Sequence, residues 1–248
     1  MNRIPKVIHY CWFGGNPLPE LIQNCIKSWK KYCPDYEIIQ WDENNFDINS
    51  NRYVAEAYAA RKWAFVSDYV RLHALYHYGG IYLDTDVEVL KPLDCFLNEE
   101  AFTGFESKDS PVTAIMGCRK GNCLFKQLLE YYEDRSFYKN GEMDLNTNTI
   151  IITETMLRNG IQLNGKKQTV LGCTVYPSVV FCPINFLRVM NRYSPKSYCV
   201  HHFVGSWGAN PVTAERSLKQ RLRMYAVRVF RDILGTSNVY KLGQLVRK

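Results

Sequence analysis

Hydrophobic positions along the first third of the chain follow two alternating rhythms. Residues 6–13 are a run of β-branched and aromatic side chains that closes on Gly14, Gly15, Asn16 and Pro17, the composition of a strand entering a loop. Leu21, Ile22, Cys25, Ile26 and Trp29 then recur at helical spacing, and residues 36–41 return to a strand-like pattern. Such a strand, helix, strand unit is nearly always a right-handed parallel crossover, so it predicts the start of a doubly wound sheet. A long helical rhythm spans residues 53–78 through Val54, Ala57, Tyr58, Trp63, Val66, Val70, Leu72 and Leu75, and Gly79-Gly80 stops it. Residues 81–87 predict the next strand. Beyond it the pattern gives a strand over 101–105, helices over 123–132 and 146–158, and β-rich runs over 169–180 and 197–204. No internal repeat or low-complexity linker interrupts the chain. The expectation is one α/β domain of six or more strands over residues 1–211, followed by a helical tail over 212–248.

Composition narrows the class. A chain of 248 residues with 46% hydrophobic and 22% charged residues can bury one sizeable core, which excludes disorder and fibrous architectures. The longest uncharged apolar-rich stretch, 169–187, is broken by Gly172, Pro177, Pro183 and Asn185, so no segment reads as a spanning helix. The first residues lack an apolar leader and a small-residue cleavage site, and cytoplasmic residence is expected. Nine cysteines without a C-x-x-C pair fit small buried hydrophobes in a reducing compartment.

Charge is unevenly placed. Residues 1–211 balance 22 Lys+Arg against 22 Asp+Glu, whereas 212–248 hold nine basic residues against Glu215 and Asp232. The whole excess of +7 therefore lies in the tail, and a nucleic-acid partner, which would need a basic folded body, is not expected. Within the tail, Leu218, Leu222, Tyr225, Val229 and Ile233 recur at helical spacing among basic residues. That pattern fits either a helix packed on the domain or a contact with an anionic membrane surface.

The chemistry concentrates after Ser67. Asp84-Thr85-Asp86 ends an apolar strand, where an open α/β sheet places its ligand crevice, and an extended chain would point both carboxylates to one side. Two like charges on one face call for a positive neutraliser, and a hard divalent cation with phosphate oxygens supplies one. Asp68 and Arg71, at i and i+3, share a helix face and can present a polar pair to the same point. His201 and His202 end a strand and point to opposite faces, so at most one of them joins a site. His73 and His77 share a helix face and read as structural.

Three stretches, residues 4–14, 64–97 (with S-D-Y-V-R and G-G-I-Y-L-D-T-D) and 201–207, resemble glycosyltransferase family 32, the DXD-containing sugar transferases of capsule and surface polysaccharides, and more distantly the clostridial glucosylating toxins. The resemblance implies a Rossmann-like GT-A fold, a nucleotide-sugar donor such as a UDP-sugar, and Mn2+ or Mg2+. By position it implies that Trp12 stacks on the donor base, that Asp68 and Arg71 hold the ribose and donor sugar, and that Asp84 and Asp86 hold metal and diphosphate. Ser206 and Trp207 match the loop that closes on the diphosphate and metal, and the histidine before it is a further metal ligand, with His202 as the choice and His201 as the alternative. Where the family often has Gly-Pro followed by Thr, this chain has Asn146-Thr147-Asn148-Thr149. A retaining transfer to a glycan or lipid-linked glycan of the bacterial surface, on the inner face of the plasma membrane, is the implied activity. The D-x-D pair also describes a haloacid-dehalogenase-like phosphatase, and a basic-tailed, non-catalytic membrane adaptor is the remaining alternative.

Overall fold

The computed structural model describes residues 3–107, 110–184 and 194–204. The expected tail over 212–248, together with Ser206 and Trp207, lies outside the described residues. The chain forms β1 (Val7–Cys11), α1 (Glu20–Tyr32), β2 (Glu37–Trp41), α2 (Arg52–Ala59), α3 (Trp63–Tyr78), β3 (Gly80–Leu83) and β4 (Val87–Val89). There follow β5 (Ala101–Ser107), β6 (Ser110–Cys118), α4 (Cys123–Glu130), β7 (Tyr138–Lys139), β8 (Glu142–Met143) and α5 (Asn148–Arg158). The described part closes with β9 (Gln168–Val170), β10 (Cys173–Tyr176), α6 (Ser178–Phe181) and β11 (Cys199–His201).

Seven strands make one mixed sheet in the order β2-β1-β3-β6-β5-β10-β9. The predicted crossover is present, with β1 parallel to β2 from Val7↔Glu37 to Cys11↔Trp41. β1 also runs parallel to β3, and both β3 and β5 run antiparallel to β6. Strands β1, β3 and β5 therefore point the same way, and their C-terminal ends open on one edge of the sheet. The expected Rossmann-like α/β class is what the structure shows.

Alternation along the strands divides the core between the two faces of the sheet. Ile8, Ile81, Leu83 and Phe102 pack with Ile22, Ile26 and Trp29 of α1 on one face. Tyr82, Phe105 and Met116 pack with Phe65, Val66, Val70 and Leu72 of α3, and with Ile151, Ile152 and Met156 of α5, on the other. Among the described residues no helix is long and apolar enough to cross a membrane.

Three expectations are corrected. The helix expected over 53–78 is two helices, because the chain turns at Arg61 with φ of +54° and the Lys62 N–H donates back to the Ala57 carbonyl. The strand expected over 81–87 ends at Leu83, and the D-x-D residues form a turn before β4 joins a second small sheet with β11. β6, which the pattern did not reveal, lies in the middle of the main sheet and runs antiparallel to both its neighbours, as β9 does to β10 at the edge.

Candidate active site

α3 delivers two charged side chains to the interior because its buried positions run almost around the helix, with Asp68 and Arg71 among Val66, Val70 and Leu72. The helix stops at Gly79, φ +70°, and Gly80, φ +102°. A Cβ at Gly80 would come within 2.7 Å of the Val7 carbonyl, so only glycine lets β3 start this close to β1. β3 then carries Tyr82 under the Arg71 guanidinium, 4.7 Å from its ring centre, and ends at Asp84.

The Asp84-Thr85-Asp86 turn is tied at both ends. The Asp84 N–H donates to the Ala114 carbonyl of β6 at 2.8 Å, and the Val87 N–H donates to the Asp84 carbonyl at 3.0 Å. From the other side β11 pairs with β4 in the register His201↔Val87. The His202 N–H then donates to the Asp86 carbonyl at 3.0 Å, and the Val204 N–H to Asp86 Oδ2 at 2.8 Å. A hundred residues downstream in sequence, this segment is thus fastened to the second D-x-D aspartate.

Pleating decides between the two histidines. His201 Nε2 lies 3.3 Å from Asp86 Oδ1, whereas His202 turns away and meets Glu88 Oε2 at 3.0 Å. His201, not His202, therefore faces the D-x-D pair, and the expectation of His202 as a metal ligand is corrected by strand alternation. Ligand atoms of Asp84, Asp86 and His201 all lie within 4.8 Å of one another. Two carboxylate oxygens and one imidazole nitrogen form a donor set that suits Mn2+, and Mg2+ less closely.

Arg71 organises the other half of the site. Its Nη2 lies 3.0 Å from Asp84 Oδ1 and 3.5 Å from Asp68 Oδ1, and its Nε donates to the Ser67 carbonyl at 3.2 Å. Burial opposes the guanidinium charge, but Asp84, Tyr82 and Asp68 outweigh it and hold Arg71 charged. Burial also pushes the Asp68 carboxyl up to about 8, against the pull of Arg71 and of the Asn148 N–H. Asp84 is raised by burial too, with Arg71 opposing and Asp86 adding to the shift. Asp86 goes the other way: burial would raise it, yet His201 and the Val204 N–H hold it below the usual carboxylate range. His201 is in turn raised, since Asp86 outweighs its desolvation.

A cleft of about 430 Å³ opens at the shared edge of β1, β3 and β5. Trp12, Arg71, Asp84, Asp86 and His201 all line it. Trp12 is half-exposed and its Nε1 donates to the Asn16 carbonyl at 2.6 Å, which fixes the ring at the rim. Asp68 is different. It is wholly buried beneath Arg71 and is not part of the cleft wall. Its Oδ2 accepts from the Asn148 N–H at 2.9 Å, and Asn148 Nδ2 donates to the Asp68 carbonyl at 3.2 Å. Asn148, first residue of α5, thereby sets Thr147 and Thr149 on the cleft wall. Sequence reasoning missed Asn148, Trp63 and Glu106, which also belongs to the wall. Trp63 was hidden inside a helical rhythm, the family motif position marked the segment 146–149 without a role for Asn148, and no local signal marks Glu106.

Residues 19–103 match a family model described as a glycosyltransferase sugar-binding region containing a DXD motif. The chain is 34% identical over 111 residues to inositol phosphoceramide mannosyltransferase 1 of Schizosaccharomyces pombe, covering 41% of this chain and 34% of that protein. It is 33% identical over 134 residues to inositol phosphoceramide mannosyltransferase 3 of the same yeast, covering 51% and 36%. The chain thus spans about a third of the length of these two relatives. Among solved structures it is similar to the PaToxG glycosyltransferase, with a TM-score of 0.47 and 19% identity over 63% of this chain and 69% of that one. The segment that carries α1, Arg71 and the Asp84–Asp86 turn is therefore the segment that matches the DXD-containing sugar-binding region of glycosyltransferases.

Proposed function

We propose that this protein is a metal-dependent glycosyltransferase that moves a sugar from a nucleotide-sugar donor to a hydroxyl acceptor on a glycan or glycolipid. The observation that carries this reading is the convergence of Asp84, Asp86 and His201 beside the buried Arg71 at the open end of a parallel strand set. The match of residues 19–103 to a sugar-binding region supports it.

Asp84, Asp86 and His201 would hold the divalent ion, whose chemistry when bound is to stabilise the charge that develops on a leaving diphosphate. Arg71, kept charged and clamped by Asp84, presents its guanidinium to the same end of the cleft and orients phosphate oxygens. Tyr82 under Arg71 fixes the plane of that guanidinium. Trp12 at the rim offers a face for the donor base, and Trp63 lines the same cleft. Asp68 acts indirectly, by seating Arg71 and the start of α5. Because Asp84 is paired with Arg71 and Asp86 with His201 and Val204, neither carboxylate is arranged as a free nucleophile, and this disfavours the phosphatase reading. Transfer with retention, in which the acceptor hydroxyl attacks the face that the diphosphate leaves and a phosphate oxygen takes its proton, agrees with that arrangement.

The resemblance to family 32 favours a UDP-sugar, and the names of the two yeast relatives favour a mannosyl donor and a phosphosphingolipid acceptor in place of a capsular glycan. Residence at the inner face of a membrane, held there by the basic tail, is part of the same proposal. Mn2+-dependent hydrolysis of UDP-glucose, UDP-galactose, UDP-N-acetylglucosamine and GDP-mannose by the full chain tests the reading. Turnover of one donor that chelation abolishes is the expected result. Hydrolysis of p-nitrophenyl phosphate with no donor turnover would reinstate the phosphatase.

A further inference from the structure

Glu106 stands at the C-terminal end of β5 as Asp84 stands just past the end of β3. Both strands run antiparallel to β6, so they are parallel to each other and deliver their last residues to the same edge. In an open α/β sheet that edge is where ligands bind. Glu106 is half-buried and lines the cleft together with Asp84, Asp86, His201, Thr147 and Thr149.

The packing below it fixes where on that wall it lies. Phe102 and Gly104 of β5 face Phe181: the Phe102 and Phe181 ring centres are 5.7 Å apart, and a Cβ at Gly104 would come within 2.8 Å of the Phe181 ring. The pairing of β5 with β6 shifts register between Phe105 and Ser107, and Glu106, set in that irregular stretch, lies close enough to Cys182, the residue after Phe181, to act on its thiol. Burial pushes the Cys182 thiol up, His201 draws it down, and Glu106 and Asp86 both add to the rise. The Glu106 carboxylate is therefore near the D-x-D end of the cleft. It is nevertheless outside the group of ligand atoms that Asp84, Asp86 and His201 bring within 4.8 Å of one another.

A carboxylate so placed cannot favour the diphosphate, whose charge has its own sign. It is suited to accept a hydrogen bond from a sugar or alcohol hydroxyl. We propose that Glu106 binds the acceptor, receiving a hydrogen bond from a hydroxyl of the acceptor sugar or headgroup and orienting the attacking oxygen within the cleft. This inference rests on the glycosyltransferase reading. In the transfer itself the acceptor oxygen bonds to the anomeric carbon, the bond from that carbon to the phosphate oxygen breaks, and the proton passes to the phosphate. Glu106 holds the geometry and is unchanged at the end.

Glu106→Gln and Glu106→Ala test it in the full chain with Mn2+. Three quantities are measured with whichever donor the wild type hydrolyses: the Kd for the nucleoside diphosphate, donor hydrolysis without acceptor, and the partition of donor between water and added glycerol or octyl glycosides. Glu106→Ala should lower the kcat/KM for the added hydroxyl acceptor, and its share of the products, by roughly 10-fold or more. Glu106→Gln, which keeps one acceptor oxygen, should lose less. Hydrolysis and nucleotide Kd should stay within about twofold of wild type for both. Parallel loss of hydrolysis would place Glu106 on the donor, and unchanged partition would leave it without a role in either, so each result overturns the assignment. Absence of donor hydrolysis by the wild type would instead remove the reading on which the assignment stands. The isosteric Gln variant, checked for an unchanged melting temperature, separates a folding defect from a binding one.

Discussion

His201 and His202 are neighbours in sequence that meet different carboxylates, and this divides their consequences. His201→Ala removes the imidazole nitrogen from the Asp84–Asp86 group, and should weaken Mn2+ binding and lower turnover by about 100-fold. His202→Ala releases a half-buried contact with Glu88 on the side turned away from Asp86, and should leave both within about threefold. Mn2+ titration by calorimetry, paired with donor hydrolysis, checks the pair; equal loss in both would return His202 to the site. Arg71→Lys should cost about 100-fold in turnover although charge is kept, because a point charge cannot span Asp84 and the carbonyl of Ser67 while lying flat on Tyr82. Steady-state kinetics with saturating Mn2+ measure this.

At the scale of elements, the site depends on α5 being held against α3. Asn148 is fully buried and joins the two helices through its backbone N–H and its side-chain amide, both directed at Asp68. Asn148→Ala keeps the backbone bond but removes the side-chain bond to the Asp68 carbonyl, which retains its partner within α3, and should cost about 0.5–1.5 kcal/mol in urea unfolding. It should also loosen Thr147 and Thr149, so donor hydrolysis should fall more steeply than stability alone accounts for. The same logic explains why one rhythm over 53–78 became two helices. The apolar spacing continues across Arg61 and Lys62, but the chain must reverse there for α2 to pack beside α3, and a left-handed residue at Arg61 makes the turn.

For the whole molecule, one part of the pH dependence of stability follows from a histidine that folds in its neutral form. Burial, with His77 adding, depresses His73 to about 4, against about 6.5 for an unfolded histidine. Between these values the unfolded chain binds the extra proton, so the contribution of His73 to stability is complete above about 6.5 and is lost as pH falls toward 4. His73→Gln should remove that part of the slope: the stability difference between wild type and variant should shrink on acidification from pH 7 to 5. Denaturant unfolding at both pH values measures it; a constant difference would show that His73 does not titrate on unfolding. The basic tail belongs to this scale as well. Full-length protein should sediment with anionic vesicles at low salt and detach as salt rises, and truncation after Asn210 should abolish binding. Salt-insensitive absence of binding in both forms would leave the tail as ordinary protein surface.

Much of the site was legible because its chemistry is local in sequence. The i, i+3 spacing of Asp68 and Arg71, the Gly-Gly stop and the D-x-D pair lie within 20 residues, and short-range periodicity is enough to place them at one strand end. The first crossover was legible for the same reason, since apolar rhythm alone predicts β1, α1 and β2. Tertiary structure decided what depends on partners far along the chain. Which histidine faces Asp86 is fixed by the register of β11 on β4, more than 110 residues away, and a one-residue slip would exchange His201 and His202. Asn148 reaches Asp68 across 80 residues, and Glu106 joins the cleft only because the unforeseen strand β6 separates β3 from β5 and leaves them parallel. Local sequence determines how each segment folds and which groups it carries; only the packing of the whole sheet determines which of those groups meet.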